Sequence, residues 1–187
     1  MNLADFLTWE EQQTDRWELV DGEARMMAGG TMAHSLIASN IISSLRPALR
    51  ASPCRPNGSD LRLPIPAFGN SRYSDITVDC GEFDPTARDA AKPTVIFEIL
   101  SKSTGFFDIE HKVDEYASLT TVEQYICVAQ SELRLMVWNR SGDKLIRALP
   151  NITEPTAELA LPSLQIKLTM EEIYEGLGLL PVSGHQP

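Results

Sequence analysis

Residues 94–112 read TVIFEILSKSTGFFDIEHK. The first seven are an almost unbroken apolar run, the pattern of a strand in the middle of a sheet with both faces covered. Ser101 to Gly105 ends that run, and Phe106, Ile109, Val113 and Tyr116 then recur at helical spacing within 105–119. One strand residue does not fit: Glu98, set among Ile96, Phe97, Ile99 and Leu100. A carboxylate buried there without a partner is costly, so something must compensate it.

Outward from this stretch, YSDITVDC (73–80) alternates, with Ile76 and Val78 facing one way and Tyr73, Asp75, Thr77 and Asp79 the other. The prolines of SDLRLPIP (59–66) place that strand at a sheet edge. RWELVDGEARMM (16–27) is a hairpin around Asp21-Gly22, a pair suited to a two-residue turn at positive φ. Asn2 caps a short helix. Thr31 or Gly29-Gly30 opens a long one, in which Leu36, Ile37, Ile41, Leu45 and Leu49 make one buried stripe and Pro47 kinks or ends the regular part. Strands EQYICVA (123–129), ELRLMVWNR (132–140) and KLIRAL (144–149) follow, then a surface loop over 150–163 and a short closing helix, MEEIYEGL (170–177). This order predicts one α/β domain over residues 1–180, a mixed β-sheet flanked by helices, with a loose tail at 181–187.

The chain has 187 residues, 43% of them hydrophobic, enough for one domain with a substantial core. No apolar run approaches membrane-spanning length. The acidic start, MNLADFLTWEEQQTD, lacks the basic and apolar regions of a signal peptide. Cys54, Cys80 and Cys127 form no CxxC pair and read as buried thiols of a reducing compartment, so a cytoplasmic protein is expected. A net charge of −10 argues against tight non-specific duplex binding, while leaving room for a local basic groove or a metal-dependent site. The sequence has no Gly-rich phosphate loop, zinc-type ligand spacing or Gly-x-Ser-x-Gly, which removes nucleotide-hydrolase and serine-hydrolase readings.

Asp75 and Glu98 lie on neighbouring strand candidates. Two carboxylates brought together repel and raise a pKa unless positive charge sits between them. A hard divalent cation resolves that conflict, since magnesium takes one or two carboxylates plus waters and substrate oxygens. Such an ion activates water and stabilises charge on a phosphodiester under attack. The basic partner has two candidate sources. Lys102 shares a strand face with Glu98 and Leu100 if the strand stays extended. Lys112 stands with Asp108 and Tyr116 on one side of the helix and reaches Glu98 if that helix packs back across the sheet. The second is favoured, because the strand ends near Ser101. Plainer readings stand beside these: Asp75 as a solvated strand residue, Glu98–Lys112 as a buried ion pair without catalysis, Glu18 as an exposed strand residue, and His34 as a capping or core residue.

Taken together, Asp75, then Glu98-x-Leu100-Ser101-x-Ser103-Thr104, then Asp108, Lys112 and Tyr116 at intervals of four resemble the Uma-type family of proposed restriction endonucleases, within the PD-(D/E)XK nuclease superfamily. Glu18, Asp21, Gly22 and Glu23 of the hairpin, and His34 at the start of the long helix, are similar to its earlier signature. The resemblance spans about residues 3–175. It implies a restriction-endonuclease-like fold with Asp75 and Glu98 as metal ligands. It also implies a catalytic lysine either two residues after the glutamate, where Leu100 cannot serve, or moved to the following helix, at Lys112. The sequence departs from the family in two places: Ser74 replaces a proline common before the aspartate, and Lys102 replaces the proline of Ser-Pro-Ser-Thr. The second departure keeps a role for Lys102 open.

The resulting expectation is a magnesium- or manganese-dependent endonuclease acting on nucleic acid, DNA ahead of RNA. Asp75, Glu98 and the carbonyl of Ile99 are its metal ligands. Lys112 positions water or stabilises the transition state, Asp108 and Tyr116 orient it, and Glu18, His34 and Lys102 are secondary candidates. A homodimer is expected, because cutting two strands calls for paired sites. The alternative is a nuclease fold retained as a binding or assembly module with little catalysis.

Overall fold

The computed structural model describes residues 1–27, 29–101 and 106–181, with side chains for all of these except 106–108. Lys102, the Asp108 side chain and residues 182–187 of the expected tail lie outside the described residues. The chain runs α1 (Leu3–Glu10), β1 (Trp17–Val20), β2 (Glu23–Met26), α2 (Met32–Ala48), β3 (Arg55–Asn57), β4 (Leu63–Ile65), β5 (Asn70–Arg72), β6 (Ile76–Asp79) and β7 (Pro93–Leu100). It continues with α3 (Phe106–Ser118), β8 (Gln124–Ala129), β9 (Leu135–Ser141), β10 (Lys144–Arg147), β11 (Glu158–Leu161), β12 (Ile166–Thr169) and α4 (Met170–Tyr174).

Local chemistry explains several boundaries. Asn2 Oδ1 accepts the Asp5 N–H at 2.9 Å and Thr31 Oγ1 the His34 N–H at 3.2 Å, so each caps its helix. Asp21 and Gly22 turn the hairpin at φ 51° and 81°. Pro47 sits in the last turn of α2, which ends one residue later. Leu36 is 37% exposed and leaves the stripe that Ile37, Ile41, Leu45 and Leu49 bury.

The strands form a six-stranded sheet in the order β10-β9-β8-β7-β6-β3, a four-stranded sheet β2-β1-β5-β4, and the ribbon β11-β12. The six-stranded sheet is the expected mixed sheet, the four-stranded sheet and the ribbon add to it, and β11 corrects the expectation of a loop over 150–163. Leu159 and Leu161 of β11 are buried between exposed neighbours, a two-residue alternation too short to stand out in the sequence. Proline-bearing β3 and β4 are edge strands, where a missing N–H costs no ladder bond.

In the six-stranded sheet only β7 and β8 run parallel, and α3 is their crossover. Val95, Phe97 and Ile99 of β7 pack with α2 and α4 on one face, through Ile37, Ile41 and Ile173 among others. Ile96 packs on the other with Ile109 and Tyr116 of α3. The central strand is therefore covered on both sides, as its apolar run requires.

The reading of three free thiols is also corrected. Arg55 pairs with Asp79 across β3 and β6, and one step beyond, Cys54 and Cys80 are joined as a disulfide with Cα atoms 3.9 Å apart. Their 26-residue separation conceals this contact from the sequence. Cys127 stays free and fully buried, and burial pushes its thiol up to about 12. No helix among the described residues is long and apolar enough to cross a membrane.

Candidate active site

The ladder between β6 and β7 pairs Ile76 with Phe97. One step beyond it Asp75 falls opposite Glu98, and directly opposed residues project to the same face. Asp75 is held at both oxygens. Oδ2 accepts the Ile99 N–H at 2.6 Å, and Oδ1 lies 3.0 Å from His34 Nε2. His34 comes from the first turn of α2, where the Thr31 cap sets its position. A Cβ at Gly30 would stand 2.7 Å from His34 Nδ1, so only glycine lets the chain pass this close to the ring. The hydrogen bond to Asp75 raises the imidazole pKa above 6.5, against the opposing effect of burial.

Glu98 is 7% exposed and faces α3. Lys112 Nζ lies 3.0 Å from its Oε1, and the Tyr116 hydroxyl donates to the same atom at 2.8 Å. The two donors are four residues apart and so lie on one side of the helix. Burial pushes the Glu98 carboxyl up to about 7; Lys112 and Tyr116 pull it down, while the negative charges of Asp75 and Glu18 push it further up.

Glu18 is not an exposed strand residue. Its Oε1 accepts the Tyr73 N–H at 2.9 Å, and Oε2 lies 3.4 Å from Arg72 Nη1. Arg72 Nε and Nη2 bind the two oxygens of Glu115 at 2.7 and 2.9 Å, and Asn70 Nδ2 adds a third bond to Glu115 at 2.6 Å. This buried network ties the four-stranded sheet to α3 one residue before Tyr116.

Asp75, Glu98, Ile99, Lys112, Tyr116, His34 and Glu18 are thus brought together from five segments, two strands and two helices with the residue before β6. Sequence reasoning missed Arg72, Asn70, Glu115 and Gly30. Glu115 alone carried a positional signal, three residues after Lys112 on the same flank of the helix.

Asp75, His34, Ile99 and Ser101 border an open cavity of about 630 Å³. A larger cavity of about 870 Å³ lies at the opposite end of β7, near Lys92 and Asn139, and holds none of these residues.

Do these residues fit a divalent ion? Among the described residues no three His, Cys, Asp or Glu side chains gather as a protein-only cage. Magnesium does not require one, since it keeps several waters and takes one or two carboxylates. The charge balance fits: the carboxylates of Asp75, Glu98, Glu18 and Glu115 share one ammonium, one imidazole and one guanidinium, and burial, with Asp75 and Glu18 adding to it, raises Glu98 to about 7. A hard cation relieves that deficit, and carboxylate oxygens beside the Ile99 main chain are ligands of the right hardness.

Comparisons with known proteins agree with this architecture. Two proteins of Synechocystis sp. (strain ATCC 27184 / PCC 6803 / Kazusa) are similar along most of their length. The protein slr1290 is 28% identical over 179 residues, covering 92% of this chain and 90% of its own. The protein sll1609 is 26% identical over 147 residues, covering 77% and 83%. The crystal structure of a "putative nuclease belonging to DUF820" from Anabaena variabilis ATCC 29413 matches with a TM-score of 0.75, over 95% of this chain and 99% of that one. At 18% identity that likeness is one of fold. Residues 3–171 match the Uma2 family, described as "Putative restriction endonuclease". The chain belongs to the Uma2 family.

Proposed function

We propose that the protein is a metal-dependent endonuclease that hydrolyses phosphodiester bonds in nucleic acid, DNA ahead of RNA. One observation carries this reading: Asp75 and Glu98 stand opposite each other one step beyond the β6–β7 ladder, with Lys112 and Tyr116 on Glu98 and His34 on Asp75. Asp75, Glu98 and the carbonyl of Ile99 would hold magnesium or manganese. When bound, the ion supplies a water of lowered pKa and neutralises charge at the scissile phosphate.

The chain's own residues account for the remaining roles. His34 and the Ile99 N–H fix both oxygens of Asp75, so that carboxylate is oriented before substrate arrives. Lys112 and Tyr116 hold Glu98 and favour its ionised form. The Lys112 ammonium, partly exposed, orients the attacking water and opposes the negative charge that grows on the phosphate oxygens. One P–O bond forms to water as the opposite ester P–O bond breaks, and the leaving oxygen takes up a proton. A twofold dimer would present one such centre to each strand of a duplex.

Supercoiled plasmid incubated with magnesium or manganese tests this. The wild type is expected to nick it, Glu98→Ala to abolish nicking, and Lys112→Ala to slow it about 10²–10³-fold. Wild type indistinguishable from both variants would leave a binding or assembly module as the function.

A further inference from the structure

The cavity beside Asp75 continues past it. One wall is α2, through Ser35, Ser39 and Ile42, and the other is the segment Gly58–Asp60 after β3. Further along α2 and β3 lies a second cavity of about 710 Å³, where α2 contributes Arg46, the residues after it Arg50, and β3 Arg55. Positions 35, 39, 42 and 46 are three or four apart and share a helix face. Ser35, Ser39 and Gly58 keep the walls low, and Ile42 reaches across to within van der Waals contact of Gly58 where the two cavities adjoin. The two cavities thus follow one another along α2 and the segment around β3, an interrupted groove that runs from the candidate active site to an arginine cluster.

The cluster is unusual for this molecule. Arg46, Arg50 and Arg55 are exposed in a chain of net charge −10. Arg16, Arg25, Arg62, Arg72 and Arg134 each pair with a carboxylate, whereas among the described residues none of these three does. Arg55 lies 4.9 Å above the ring of Phe83, which is 63% exposed, and donates to the Pro53 and Gly81 carbonyls at 2.9 and 3.3 Å. Its guanidinium is therefore held in place before any ligand arrives. Arg55 and Phe83 also line a neighbouring cavity with Asp79, Glu82, Asp84 and Asp89, whereas Arg46 and Arg50 do not.

We propose that this groove is the track of the nucleic-acid backbone, with Arg46, Arg50 and Arg55 each taking a phosphate and Phe83 stacking on a base, on the way to the Asp75–Glu98 centre. The proposal rests on the nuclease reading and adds to it the surface that holds the substrate. Arg46 follows His34 by twelve residues, about 18 Å along the helix axis, or about five base-pair steps of a duplex. Guanidinium forks match phosphate oxygens, and an exposed ring accepts any base, so the groove reads backbone rather than sequence.

Fluorescence anisotropy with a labelled oligonucleotide, single-stranded and duplex, in calcium, measures the contribution. The triple variant Arg46→Gln, Arg50→Gln, Arg55→Gln is expected to bind at least tenfold more weakly. Its slope of log affinity against log salt should fall by about 2 on single strands or about 2.7 on duplex, whichever form the groove takes. Phe83→Ala should weaken single-strand binding about fivefold or more with the slope unchanged. An equal charge removed elsewhere, by Arg88→Gln, Lys144→Gln and Lys167→Gln, should leave affinity and slope as in wild type. Thermal melts establish that all variants are folded. Unchanged affinity and slope in the arginine variant, or equal losses in the control, would overturn the groove. Plasmid nicking run in parallel separates the two readings. Metal-dependent nicking beside an unaffected arginine variant sinks the groove alone. No nicking by wild type, beside binding lost in the arginine variant, sinks the nuclease reading and keeps the groove.

Discussion

Glu98 answers the question its own sequence neighbours raise. It is buried in a strand because α3 brings a lysine and a tyrosine to it, yet those donors do not offset burial and two nearby carboxylates, and its carboxyl titrates near 7. The stability consequence has a definite sign. Between its ordinary value of 4.5 and about 7 the folded state holds a proton that the unfolded state has released. This contribution to stability is complete below about 4.5 and is lost as pH rises through about 7. The His34 contribution has the same sign, so Glu98→Gln is the comparison that isolates the carboxyl. In chelator, the wild-type melting temperature is expected to fall between pH 5 and 8 by more than that of Glu98→Gln. Magnesium should reduce the wild-type fall and leave the variant unaffected, with apparent affinity rising through pH 7. Calorimetry across that range checks both. The pairing of Asp75 with Glu98 was legible in the sequence because a lone carboxylate in an apolar strand has few explanations. Gly30 was not, since its role exists only once a helix turn brings His34 against it.

At the scale of elements, α3 works because something fixes its angle to the sheet. The Arg72–Glu115 pair does this from the four-stranded sheet, with Arg72 4% and Glu115 1% exposed. Removing one partner of such a pair leaves the other charged and buried. Arg72→Met is therefore expected to cost about 3–5 kcal/mol, and Arg72→Met with Glu115→Met to recover part of that loss, as read from urea unfolding midpoints. A smaller loss in the double than in the single variant is the signature, because simple packing damage would accumulate instead. Elements with strong local signals were legible: the Asp21-Gly22 hairpin, the capped α2, and β7 with its crossover helix. The division into separate sheets was not, because it depends on β5 pairing with β1, some fifty residues earlier, and the ladder has only one facing pair there, Leu19 with Ser71. The same long range hides Arg72: nothing local marks NSRY as the anchor of a helix about forty residues later.

Across the whole molecule, function and reinforcement lie at opposite ends of the same strands. The candidate site gathers at the start of β6 and the end of β7, while the Cys54–Cys80 disulfide closes the other end of β6. Asp75 and Cys80 are five residues apart on a nearly extended chain, so about 16 Å separates them. This layout lets the staple act on the unfolded chain without touching the chemistry. A cross-link between residues 26 apart restricts the unfolded ensemble by about 3–4 kcal/mol in the loop-entropy description. Cys127 does not compete for either partner, because its thiol is buried and burial disfavours the reactive thiolate. Reduction, or Cys54→Ser with Cys80→Ser, is therefore expected to lower the urea midpoint by an amount corresponding to that free energy. The His34 imidazole, followed by NMR titration, should keep its midpoint above 6.5 in the reduced protein at a temperature where it remains folded. A His34 midpoint that drops on reduction would mean that the two ends are coupled through β6, and the separation of staple from site would fail.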